Sequence, residues 1–162
     1  MNKKINVAVF TEYEENANNF INAVSNSDSK SVTYKDFEIT FGDVWNEKLP
    51  YENISELAMR NDRLILLVDS VEGVHPKVSH MIEEIIKTDK IAVIVVDNVE
   101  NENADPEMAI EEIQHVLVMR KASDAQLDGP IIYVNETEKK SKFDIEDDMD
   151  SLNSLYEAII NN

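Results

Sequence analysis

The sequence predicts an α/β fold: a mixed, mostly parallel sheet of about six strands with helices on both faces. Three observations predict it. Short apolar, β-rich runs alternate along the chain with segments of helical spacing. The runs after residue 60 (Leu64 to Val68, Ile91 to Val96, Ile131 to Val134) are continuously apolar rather than alternating, as strands buried on both faces are. One early pair of runs is close enough to form a hairpin, which adds an antiparallel strand to a sheet otherwise made of βα repeats.

Taken in order, Ile5 to Phe10 is the first core strand. Ala17, Phe20, Ile21, Ala23 and Val24 then recur near helical spacing. Ser31 to Tyr34 and Phe37 to Phe41 flank Lys35-Asp36, a tight hairpin turn. Asn53, with Glu56 three residues on, reads as a capping box opening a helix through Leu57 and Met59. Leu64 to Val68 is a buried strand. Pro76 opens a helix running to about Thr88, and Ile91 to Val96 is the next strand. Pro106 opens a helix to about Lys121, with Met108, Ile110, Ile113, Leu117 and Val118 as its buried face. Ile131 to Val134 is the last strand. The polar, acidic stretch 136–150 reads as a mobile loop. Leu152, Leu155, Tyr156, Ile159 and Ile160 form the apolar stripe of a closing helix.

One domain spanning 1–162 is expected from the length, and 43% apolar residues suffice for one core. With no cysteine there is neither a disulfide nor a thiolate metal site. The apolar runs are far too short to span a membrane, and the first stops at Thr11, too soon for a secretory signal. A cytoplasmic protein is therefore expected. The net charge of −18, from 33 acids against 15 bases, argues against direct binding of nucleic acid or an anionic membrane surface. It leaves a solvated acidic surface, docking to a basic protein partner, or imitation of a polyanion.

Two stretches carry a family likeness. Leu64 to Pro76 reads Leu-Ile-Leu-Leu-Val-Asp-Ser-Val-Glu-Gly-Val-His-Pro, and Ala122 to Tyr133 reads Ala-Ser-Asp-Ala-Gln-Leu-Asp-Gly-Pro-Ile-Ile-Tyr. Leu155-Tyr156-Glu157-Ala158-Ile159 adds a third. The chain resembles the GTP-binding domain of translational GTPases, in particular the TypA/BipA ribosome-associated branch. That family has Asp-x-x-x-Gly-x-x-Pro and Ala-Thr-Asp-Glu-Gln-Leu-Asp-x-Pro-Ile-x-Tyr at the first two places. The resemblance covers nearly the whole chain, apart from a segment missing after Ser25, and is weaker before residue 60. It implies a P-loop NTPase, small-GTPase-like three-layer fold.

It also implies where the family's chemistry would lie, and there the residues differ. The phosphate-loop core Asp-His-Gly-Lys-Thr falls on Glu14 to Asn18, so that Asn16, Ala17 and Asn18 stand for glycine, lysine and hydroxyl. Glu12, Glu14 and Glu15 add negative charge beside the phosphate position; each like-charge contact within about 4 Å costs on the order of 1–4 kcal/mol. Switch I has no room between Ser25 and Ser31. Switch II, Asp-x-x-Gly-His, falls on Asp43 to Glu47: Asp43 keeps the metal-side acid, while Asn46 and Glu47 replace the glycine and the water-orienting histidine. The guanine reader Asn-Lys-x-Asp falls on Asp97, Asn98, Val99 and Glu100, and the supporting Ser-Ala on Asn135-Glu136.

Each position has a plainer reading. Asp43 alone is more often a strand-end acid than a metal ligand. Asp97 and Glu100 can be a solvated loop, and the acids at 12, 14 and 15 a solvated turn. The three histidines form no motif, and His80 with Glu84 reads as a surface pair. Trp45, with Tyr51, is a candidate interface anchor or a cover over the altered pocket, and large aromatics favour burial. The expectation is a pseudo-GTPase with no catalytic or metal residues and no cofactor, acting through a protein partner, basic or ribosome-associated. The alternatives are a divergent GTP- or GDP-binding protein using Mg²⁺, and an acidic decoy of nucleic acid.

Overall fold

A computed structural model describes residues 3–144, 147–149 and 151–162. The elements run β1 (Lys3–Phe10), α1 (Glu14–Val24), β2 (Ser31–Tyr34), β3 (Phe37–Trp45), α2 (Asn53–Arg60), β4 (Arg63–Asp69), α3 (Pro76–Lys87), β5 (Ala92–Asp97), α4 (Pro106–Met119), α5 (Asp124–Leu127), β6 (Ile131–Asn135), β7 (Lys140–Lys142) and α6 (Asn153–Ile160). The sheet has the order β2-β3-β1-β4-β5-β6-β7. Its five inner strands are parallel, and both edges are antiparallel hairpins.

The inner strands alternate between two apolar layers. Ala8, Phe10, Leu64, Leu66, Val68, Ile94 and Val96 face a layer with α2, α3 and α4. Val7, Val9, Ile65, Leu67, Val93 and Val95 face the layer of α1 and α6. Burial on both faces is why these strands read as unbroken apolar runs.

A bulge in β3 decides what each layer receives. Asn6 pairs with Thr40 but Ala8 pairs with Asp43, so two residues of β1 span three of β3, at Gly42. One extra residue reverses the faces of all that follow. Phe41 therefore packs with α1 and Trp45 with α2 and α3, although both numbers are odd.

The structure departs from the sequence reading in four places. A seventh strand, β7, lies within the stretch read as a mobile loop; residues 145, 146 and 150 of that stretch lie outside the described residues. Its Lys-Ser-Lys pattern carries no strand signal. It is held by pairing to β6 and by buried Ser141, whose hydroxyl lies 2.5 Å from that of Ser154. The Asn53 capping box does not form: Glu52 takes the cap position and no side chain caps α2. The buried face of α4 is Ala109, Ile113 and Leu117, four residues apart, while Met108 and Val118 point outward. A capping box does form at α5, where Ser123 Oγ accepts from the Gln126 N–H and Gln126 Oε1 accepts from the Ser123 N–H.

Candidate functional site

The site of interest lies at the C-terminal ends of β1, β3, β4, β5 and β6, where open parallel sheets bind ligands. At the β1 end, only Thr11, Glu12 and Tyr13 separate the strand from α1. The Thr11 N–H donates to the Trp45 carbonyl (3.1 Å), and the Glu47 N–H donates to the Glu12 carbonyl (2.8 Å). These bonds stitch the β1–α1 and β3–α2 connections edge to edge. A phosphate held between such connections needs backbone N–H groups that are free.

Negative charge already occupies the neighbourhood. The Glu12 side chain is buried, and its carboxylate meets His75 Nδ1 at 3.1 Å. His75 Nε2 also lies 3.4 Å from Glu72, so the ring bridges two acids. Glu14 and Glu15 sit in the first turn of α1, where carboxylates complement the positive helix end that phosphate would otherwise seek. The Glu12 carboxylate beside it raises the Tyr13 phenol.

The residues singled out by the resemblance are placed as follows. Asn16, Ala17 and Asn18 lie inside α1, and Ala17 is fully buried in the layer beneath it. Asp43 turns to the Arg60 fork (2.9 and 3.0 Å) and to Asn61 Nδ2 (2.8 Å). That guanidinium holds its carboxyl below the usual carboxylate range. Asn46 Oδ1 accepts from the Lys48 N–H, capping a tight turn, and Glu47 pairs with Lys77 at 3.1 Å. Trp45 is 1% exposed, so as placed it offers no anchor to a partner. Its Nε1 donates to the Pro50 carbonyl, and Tyr51 stacks between it and His80. His80 also meets Glu84 at 3.5 Å.

At the guanine-reader position the structure corrects the solvated-loop reading for Asp97, while Glu100 is exposed in its loop. Asp97 is the last residue of β5 and only 1% exposed. Burial, the neighbouring Glu136 carboxyl and Asp69 push it well above the usual carboxylate range. Asn98 follows in the left-handed region (φ 56°). Glu100 accepts from the Thr137 N–H at 3.0 Å, and Asn135 Oδ1 accepts from the Glu138 N–H at 2.9 Å. Glu100 and Asn135 thus both bond to the β6–β7 turn. The sequence reading missed the pairing of Asp97 with Glu136 and that of Glu12 with His75, because both join residues far apart in the chain. Among the described residues, no cluster of three or more His, Asp or Glu is arranged to hold a metal ion.

The stretch that carries the likeness most specifically is structural. Gln126 is buried, and its Nε2 donates to the Ile86 and Lys90 carbonyls at 3.1 Å. Lys90 Nζ in turn donates to the Ala58 and Asn61 carbonyls at the end of α2. A side chain at Gly129 would meet the Ala92 carbonyl at 2.9 Å. Ser123, Gln126 and Gly129 therefore lock α3, α5 and β5 together at the pole opposite the site.

No family model matches the chain. Over 134 residues, 83% of its length, it is 27% identical to the large ribosomal subunit assembly factor BipA of Buchnera aphidicola. It is 24% identical over 130 residues to BipA of Bacillus subtilis, and 26% over 134 residues to the chloroplastic TypA-like SVR3 of Arabidopsis thaliana. The chain spans about a fifth of the length of these relatives: 22%, 21% and 20%. Among solved structures, translation elongation factor SelB from Methanococcus maripaludis superposes on all of the chain with a TM-score of 0.70 at 16% identity, over 34% of SelB. Era bound to MgGDPNP and a 16S ribosomal RNA segment gives 0.67 at 12% identity, over 99% of this chain and 57% of Era. The chain is a distant homologue of the TypA/BipA G-domain region and has the α/β fold of the SelB and Era G domains.

Proposed function

We propose that this domain is a pseudo-GTPase: a translation-factor-like G domain without competent phosphoryl transfer, acting as a binding module for another protein. The observation that carries the reading is the closure of the phosphate region. The Thr11 and Glu47 amides are bonded to the backbone, and the buried Glu12 carboxylate stands beside them. A triphosphate there would meet acid where attraction is needed. The position that would carry the lysine is buried inside α1, and Asp43 is committed to Arg60. These residues do not fit GTP with its Mg²⁺.

BipA is named for assembly of the large ribosomal subunit, which makes a ribosomal particle in the cytoplasm the first partner to test. An acidic domain would meet basic ribosomal proteins rather than ribosomal RNA. The deciding experiment is a thermal shift with GTP, GDP and ATP, with and without Mg²⁺. A ligand at about 100 times its Kd stabilises by about 2.7 kcal/mol, a rise of several degrees for a chain of this size. No shift at millimolar nucleotide, with salt-sensitive co-sedimentation on ribosomal particles, is expected. A guanine-selective shift would sink the proposal and establish a divergent GTP or GDP binder.

A further inference from the structure

Three connections meet above the ends of β4, β5 and β6, and hydrogen bonds tie them together. Ser70 donates to the Asp97 carbonyl from its N–H (3.1 Å) and its hydroxyl (2.6 Å). Its own carbonyl accepts from the Asp105 N–H (2.9 Å), at the start of α4. Glu100, in the β5–α4 connection, accepts from the Thr137 N–H in the β6–β7 turn. Between them lie two carboxyls from neighbouring strand ends. Asp97 Oδ1 and Oδ2 and Glu136 Oε1 are all buried and receive no hydrogen bond from any donor.

Two ionised carboxylates are acceptors only, so facing each other they stay unsatisfied and repel. One proton changes this: the protonated carboxyl donates to its neighbour, and one strong hydrogen bond replaces a repulsion. The charged groups around the pair make it more unfavourable when ionised. Asp69, at the end of β4, acts on both carboxyls, and Glu100 acts on Glu136. Burial raises both carboxyls above the ordinary range.

We infer that Asp97 and Glu136 share one buried proton that latches the β4–α3, β5–α4 and β6–β7 connections shut, making this end of the sheet a pH-sensitive device. Opening the latch exposes the carboxyls to water, where they ionise at ordinary carboxylate pH, so opening releases the proton. The sign follows. The closed form holds more protons than the open form, so closure is most stable at or below the ordinary carboxylate range. It weakens as the pH rises toward the pair's raised one, with the opening constant growing about tenfold per pH unit across that window. The pair stands at the guanine-reader position, so the inference rests on the reading that no base is bound there; hydrogen exchange on nucleotide-free protein tests the latch alone, and the thermal shift with nucleotide tests that reading.

The test is amide hydrogen exchange from about pH 5 to about pH 9, corrected for the intrinsic rate, with ¹³C detection of the Asp97 and Glu136 carboxyls. The wild type is expected to lose protection at Asp105 and Thr137 as the pH rises, while core amides of β4 and β5 keep theirs. Asp97→Asn supplies an amide donor to Glu136 without a titrating proton, and its loop protection is expected to stay constant within about twofold. Glu136→Gln reports the same in case Asp97→Asn fails to fold. Asp97 and Glu136 carboxyls that both titrate in the ordinary carboxylate range, or an unchanged pH slope in both variants, would overturn the inference.

Discussion

At the level of single residues, the acids of this chain fall into two opposed classes. Asp43 and Glu157 are held low: Arg60 and Asn61 clasp the first, and Lys35 with Tyr34 clasps the second. Asp97 and Glu136 are held high by burial beside other acids. The classes predict opposite pH responses. The Asp43–Arg60 pair stabilises the fold above the usual carboxylate range and is lost as the pH falls through the lowered Asp43 value. Arg60→Ala should therefore lower stability at neutral pH, and only modestly because the guanidinium is half exposed. Urea denaturation should show that difference vanish once the solution is acid enough to protonate Asp43. Gln126 illustrates a different cost. Gln126→Ala removes one hydrogen bond to the buried Ile86 carbonyl, which keeps the Asp89 N–H, and one to the partly buried Lys90 carbonyl, and about 1–3 kcal/mol of stability should be lost. None of these partners was legible in the sequence, because each pair joins residues brought together only by the sheet order.

At the level of elements, what the sequence showed and what it hid follow from the range of the forces involved. The inner strands were legible because burial on two faces writes itself into consecutive residues such as Leu64 to Val68. Helix starts at Pro76 and Pro106 were legible because proline acts locally. The bulge at Gly42, the pairing of β7 and the true face of α4 were hidden, since each is decided by a neighbour across the fold. The start of α1 is the element-scale fact on which function turns. It begins at Glu14, so the position that the family likeness assigns to the phosphate-binding lysine is inside a packed helix. Ala17→Lys should consequently not restore a nucleotide site. It should place a cation in the apolar layer beneath α1 and destabilise the fold by more than about 3 kcal/mol. A variant that melted like the wild type and bound GTP would show that α1 can unwind there, and would reopen the nucleotide reading.

At the level of the whole molecule, the charge sets terms that no single contact does. A net −18 on 162 residues makes the compact state repel itself. The fold tolerates this because its cations are placed where acids converge. Lys48 meets Glu14, Lys77 meets Glu47, Lys87 meets Glu84, and Arg60 meets Asp43, each across about 3 Å. These exposed pairs contribute little individually and weaken with salt, whereas the long-range repulsion they offset is screened as well. The net effect is decided by the sum over 33 acids rather than by a few contacts. The Debye length falls from about 30 Å at 0.01 M salt to about 8 Å at 0.15 M, from the scale of the domain to that of near neighbours. Repulsion should therefore lose more than the pairs do, and the melting temperature should rise with salt. The rise should persist in Asp97→Asn, because a buried pair is poorly screened and contributes little to the salt response. Melting curves of both proteins across salt and pH separate the two effects: salt acts on both alike, while raising the pH above the ordinary carboxylate range distinguishes them. A melting temperature that fell with salt would mean that the local pairs outweigh the global charge, and that this acidic surface is held together by its few cations.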